Sequence, residues 1–172
     1  MEYANYISTL KAAGDDLQLR IRRELGMNRK KRSKRTGKSY NTKINASGNL
    51  SKSITPIITS IAGQAPSLDI QSLPYGDFVN NGRKAGSFVP IAPLMNWIRI
   101  KPLKARDADG KFIKMNDAKI KSMAVAISKS IHKHGIAPTN IMTESTDVTL
   151  NKWGSRLLDA WAEDMEVEFN RE

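Results

Sequence analysis

Between residues 3 and 25 the apolar side chains recur at spacings of three, four and seven: Tyr3, Tyr6, Leu10, Leu17, Ile21 and Leu25. That period predicts an amphipathic helix over residues 1–26, with Gly26 as its stop and one face packed on a core. Residues 28–46 carry many charges and little apolar content, and read as a mobile loop. A short helix follows over 47–53 with Ser47 as its cap. The β-branched run from 53 to 61 then switches the pattern to that of a strand, which Pro56 either places at a sheet edge or starts just after itself. A turn at 63–66 and the alternating Ser67-Leu68-Asp69-Ile70-Gln71 complete an antiparallel hairpin.

The segment 73–101 is the densest in shape-fixing residues. Pro74, Pro90 and Pro93 pin the backbone, Gly76, Gly82 and Gly86 permit turns, and Tyr75, Phe78, Val79, Phe88, Val89, Leu94, Trp97 and Ile98 are expected to be buried. It predicts a turn through 75–80, a loop, and a helix with Pro93 near its start and Leu94, Trp97 and Ile98 facing inward. Asp109-Gly110 is a tight turn between two short extended pieces. The Asp-x-Asp-Gly pattern around it fails as a calcium loop, because Ala105 and Asn116 stand where acidic ligands belong.

Residues 116–135 form a helix with Ile120, Met123, Ala124, Ile127 and Ile131 on one face and Gly135 at its stop. His132 and His134, two apart, diverge and cannot share a metal. After a connector, Asp147 or a neighbouring Ser or Thr caps a last helix, whose stripe is Leu150, Trp153, Leu157, Trp161, Met165 and Phe169. Core packing is the ordinary role of such a stripe. In an oligomer it seats on a neighbour, which makes Trp153 and Trp161, with Tyr3 and Tyr6 of the first helix, the candidate subunit-contact residues.

A length of 172 residues suits a single domain over 1–172, and 40% hydrophobic residues suit a soluble one. No apolar run approaches a membrane span, and the first residues lack a secretory pattern. Cysteine is absent, which removes disulfides, zinc–thiolate sites and thiol nucleophiles.

The net charge is +11 and unevenly placed. Arg29, Lys30, Lys31, Arg32, Lys34, Arg35 and Lys38 stand together without an acid, as candidate contacts to a phosphate backbone. From Asp159 onward the balance is acidic. Thr36-Gly37-Lys38-Ser39 ends like a nucleotide-binding loop, but Arg32 stands where the first glycine must be. The basic segment has no aromatic platform for stacking bases, so sequence readout is not expected. No nucleophile–base pair, metal set or dinucleotide loop is legible, and the expectation is a non-enzymatic protein without cofactor or metal.

Four short motifs occur in order. They are Ser47-Gly48-Asn49-Leu50-Ser51-Lys52-Ser53-Ile54, Tyr75-Gly76-Asp77-Phe78-Val79-Asn80-Asn81-Gly82, Pro93-Leu94-Met95-Asn96-Trp97-Ile98, and a segment from Ile131 to Pro138 ending Gly135-Ile136-Ala137-Pro138. Their order and spacing resemble the tail-completion and head–tail neck proteins of long-tailed bacteriophages. The chain departs from that family at Asn80-Asn81-Gly82-Arg83, where the family often has Glu-x-Gly-Thr. The resemblance implies an α+β fold, with a small antiparallel β-sheet packed against several helices between long N-terminal and C-terminal helices. It also implies a homo-oligomeric ring in the neck or upper tail of the virion, assembled in the host cytoplasm. Its neighbours there would be connector and tail-tube proteins, its contact with genomic DNA sequence-independent, and no membrane would be involved. The alternative is a nonspecific nucleic-acid-binding module acting through residues 29–38.

Overall fold

Two apolar helix faces set the layout of the computed structural model, which describes residues 3–32, 37, 39–44, 47–61, 64–101, 103, 105–106 and 109–170. The first belongs to α1 (Ala4–Gly26), which buries Leu10, Ala13, Leu17, Ile21 and Leu25 along one stripe. One side of α1 lies along the last helix, α6 (Ile141–Phe169), and another along the antiparallel ribbon of β3 (Thr55–Thr59) and β4 (Ser67–Gln71). Gly14 makes the second approach possible: a Cβ there would sit 2.9 Å from Leu68 Cδ1 and 3.0 Å from Pro56 Cβ. Leu17, Ile21 and Leu25 close a core with Leu50 of α2 (Asn49–Ser53), Ile54 and Ile141, on which Val79 and Met142 also pack.

The second face belongs to α4 (Ile91–Ile100) and α5 (Asp117–His134). Ile98, Ile120 and Ala124 form its centre, with Ile91, Leu94, Met95, Met123 and Ile127 around them. Asn116 caps α5 by accepting from Lys119 N at 2.9 Å. There are two further antiparallel ribbons: β1 (Asn28–Arg32) with β2 (Ser39–Lys43), and β5 (Ala105–Arg106) with β6 (Phe112–Ile113) across the Gly110 turn. The fold is thus α+β, with small antiparallel ribbons among six helices in the described residues and long helices at both ends.

The four sequence motifs form the joints. In the first and second, Ser53 Oγ accepts from Leu73 N at 3.1 Å, and Leu50 lies against Gly76. Between the second and fourth, Arg83 and Ile136 exchange backbone hydrogen bonds of 3.0 and 2.8 Å. Gly82, just past α3 (Gly76–Asn81), and Gly135, just past α5, bring these strands of backbone together, with φ of 73° and 67°. The third motif supplies Leu94, Met95 and Ile98 of the inward stripe of α4. Ser128 on α5 holds the approach to α4, donating to Val89 O at 2.7 Å and accepting from Val89 N at 3.2 Å.

Several expectations are corrected. Residues 28–46 are not simply a loop, because Asn28 to Arg32 pair in register with Lys43 to Ser39. Trp97 is 36% exposed: the inward stripe of α4 is Ile91, Leu94, Met95 and Ile98, a full i, i+3, i+4, i+7 set that leaves Trp97 at its margin. Tyr75, Phe78 and Phe88 are also exposed. Phe88 stacks on His132 with ring centroids 4.0 Å apart, and Arg83 lies 5.9 Å over Phe78, so cationic or heteroaromatic lids replace burial. The last helix starts at Ile141 rather than near Asp147, because its capping group comes from elsewhere in the chain.

Candidate functional site

That capping group is Asn80. It is buried in α3, and its Oδ1 accepts from Met142 N at 2.8 Å while its Nδ2 donates to Thr143 Oγ1 at 3.0 Å. Its backbone oxygen accepts from Thr139 N and Asn140 N. The amides that any helix start leaves unpaired are thereby satisfied from another element. Asn140 itself holds a left-handed conformation with φ 53°, which Asn tolerates.

At the other end of α6 the arrangement is reciprocated. Buried Asp164 accepts from Asn5 N at 3.1 Å and Tyr6 N at 2.8 Å, placing an anion at the positive end of α1, whose first turn has no acid of its own. Asp164 beside residue 5 and Trp153 beside residue 16 show that α1 and α6 run antiparallel.

The face of α6 against α1 is built from Ile141, Ser145, Thr149, Ala160 and Asp164, mostly small or polar side chains. Such a face lets two helices approach closely, and it corrects the expectation that the apolar stripe is the buried one. Of that stripe Leu150 is 60% exposed, Trp161 40% and Phe169 72%, while Leu157 and Met165 are half-buried; the adjacent Leu158 is 69% exposed. Trp153 leaves the stripe for the inner side, donating from its indole nitrogen to Asp16 Oδ2 at 3.1 Å. Lys152 Nζ reaches the same carboxylate at 3.0 Å.

These bonds to Lys152 and Trp153, outweighing desolvation, hold the Asp16 carboxyl below its ordinary pKa. Because the folded pKa is depressed, the stabilisation is present above the unfolded value of about 3.9 and disappears as pH falls through the folded one. Asp16→Asn is therefore expected to be less stable than wild type at pH 7, the gap narrowing progressively below about pH 4. Urea midpoints at stepped pH measure this, and a pH-independent gap contradicts it.

The stripe forms one wall of an open groove of about 520 Å³. Leu150, Gly154, Leu157, Leu158 and Trp161 come from α6, Tyr6 from α1, and Ala65 from the approach to β4. Of the four candidate contact residues, the structure brings Tyr6 and Trp161 together here. Tyr3 packs edge-on against Tyr6 at 6.4 Å, and Trp153 is engaged on the inner side.

Charge is segregated beyond the sequence reading. Residues 82–135, which include α4, β5, β6 and α5, hold twelve Lys and Arg against three Asp, a net of +9. Helix α6 holds seven acids against Lys152 and Arg156. Of the candidate nucleic-acid contacts, Arg29, Lys30, Lys31 and Arg32 occupy successive positions of β1, while Lys34, Arg35 and Lys38 lie outside the described residues. Among the described residues there is no cluster of three or more metal-ligating side chains, and no helix long and apolar enough to cross a membrane.

Sequence reasoning missed Asn80, Asp164 and Gly154. Nothing local marks the first two, whose partners lie 62 and 158 residues away. The basic excess of 82–135 was countable from the sequence.

Compared with known proteins, the chain matches no protein-family model, no curated protein and no solved structure.

Proposed function

We propose that this chain is a non-enzymatic structural subunit that assembles into a ring at the head–tail junction of a long-tailed bacteriophage. One observation carries the assembly: the longest helix leaves apolar side chains outward, with Leu150 at 60%, Leu158 beside it at 69% and Trp161 at 40% exposure. Exposed apolar surface gathered around a groove marks a surface that another protein covers. The assignment to a phage neck rests on the four ordered motifs, whose residues serve as joints of the fold. At the departure from the family pattern, Asn80 keeps an acceptor oxygen, which is the feature the start of α6 uses. Positive charge in the ring would favour DNA without reading its bases.

Purified protein examined by light scattering and negative-stain microscopy should form closed rings, and purified virions should contain it. A monodisperse monomer at every concentration, absent from particles, overturns the assignment.

A second reading, a nonspecific nucleic-acid-binding module, is favoured by Arg29, Lys30, Lys31 and Arg32 in unbroken succession on a two-stranded ribbon. On this reading, changing these four to Ser should leave the melting temperature intact. It should lower the slope of log affinity for duplex DNA against log salt by about 3–4. An unchanged slope removes the ribbon from DNA contact. A collapsed melting temperature makes it structural.

A further inference from the structure

We infer that the α6 groove receives the basic α4/β5–β6 end of a second copy of this chain, so that subunits join head to tail. The inference rests on the self-assembly proposed above and names the two surfaces involved.

The groove is apolar and belongs to an acidic helix: Asp147 and Glu168 share its face, one turn before Leu150 and two turns after Trp161. Its occupant must therefore offer apolar side chains among cations. A second α6 offers apolar side chains but sets like charges opposite each other, which is costly at an interface. The β1–β2 ribbon offers cations, yet among its strand residues Tyr40 is the one large apolar side chain. The α4/β5–β6 end offers both. Ile100 and Phe112 are 55% and 58% exposed, Arg106 lies 4.1 Å over the Phe112 ring, and Lys101 lies 5.6 Å over Trp97.

Gly154 points the same way. A glycine within a helix costs about 1 kcal/mol relative to alanine. Yet, its own helix backbone aside, no atom of the described residues lies within 4 Å of where its Cβ would be. Packing within the subunit does not call for a glycine there, whereas a second chain entering the groove at that point does. Groove and basic end are different surfaces of one chain, so the contact is heterologous and propagates, closing into a ring if its rotation permits.

Gly154→Gln extends a side chain into the groove from a position where a Cβ meets no described atom outside its own helix, and Ile100→Asp with Phe112→Asp discharges the other surface. Each variant should retain its helical circular dichroism and sediment as a monomer under conditions where wild type assembles. Mixed in equal amounts, they should form dimers and stop, because each retains the half the other lacks. Leu158→Arg, an exposed change in the same groove, replaces Gly154→Gln in the mixture if that variant folds poorly. Assembly of either variant alone at wild-type affinity, or no dimer on mixing, overturns the head-to-tail contact while leaving ring formation by other surfaces intact. A wild type that never assembles overturns both.

Discussion

Alanine at Gly82 or Gly135 is expected to destabilise the protein by about 3 kcal/mol at either position, and alanine at both is expected to leave it unfolded at 25 °C. The two glycines have φ, ψ of 73°, −164° and 67°, −167°. That region is open essentially to glycine alone, and forcing another residue into it costs of order 1–3 kcal/mol. Sterics add to this. A Cβ on Gly82 would stand 2.5 Å from Ile136 O and 2.7 Å from Pro138 N, while one on Gly135 would strike Arg83 O. These neighbours are backbone atoms of the paired segment, so no rotamer change relieves the overlap. Urea titration should show midpoints lowered by about 1–2 M for each single variant. Gly26→Ala is the control, since nothing lies within 4 Å of its Cβ and it ends α1 without a positive φ. It should match or slightly exceed wild type. Wild-type midpoints for the Gly82 and Gly135 variants would mean that the two segments do not cross as described.

The second large effect belongs to Asn80. Asn80→Ala removes the acceptor for Met142 N and the donor to Thr143 Oγ1 in a buried setting. Stranded polar groups of this kind cost about 1–3 kcal/mol, and a lost cap about 1 kcal/mol, so a total near 2–3 kcal/mol is expected. The loss should also be local. Hydrogen exchange at Met142 and Thr143 should accelerate in the variant more than at Ile21 or Leu25 in the core. Asn80→Asp restores the acceptor and adds an anion at the helix start, but loses the donated bonds and buries a charge, so it should recover stability in part. Equal exchange rates in wild type and Asn80→Ala would remove Asn80 as the cap.

Much of the local structure was readable before any coordinates. β4 spans Ser67–Gln71 where the alternation ends, and α5 runs between the Asn116 cap and the Gly135 stop. The β3–β4 hairpin and the turn at Gly110 follow from β-branched and turn residues whose preferences act over a few positions. Tyr6 and Trp161 line one groove, whereas Trp153 turns inward because Asp16, 137 residues away, accepts its indole proton.

Periodicity decides which side chains of a helix share a face. It is silent on which of two faces another element will cover. In α6 the pattern predicts burial of the apolar face, and α1 covers the other, because Ser145, Thr149 and Ala160 admit a close helix and Asp164 bonds its first amides. By itself the sequence determined most of the helices, the β3–β4 hairpin, the Gly110 turn and the charge of each segment, since these arise between near neighbours. Tertiary structure alone decided that the tryptophan-bearing stripe faces outward, because burial depends on contacts between residues far apart in the chain.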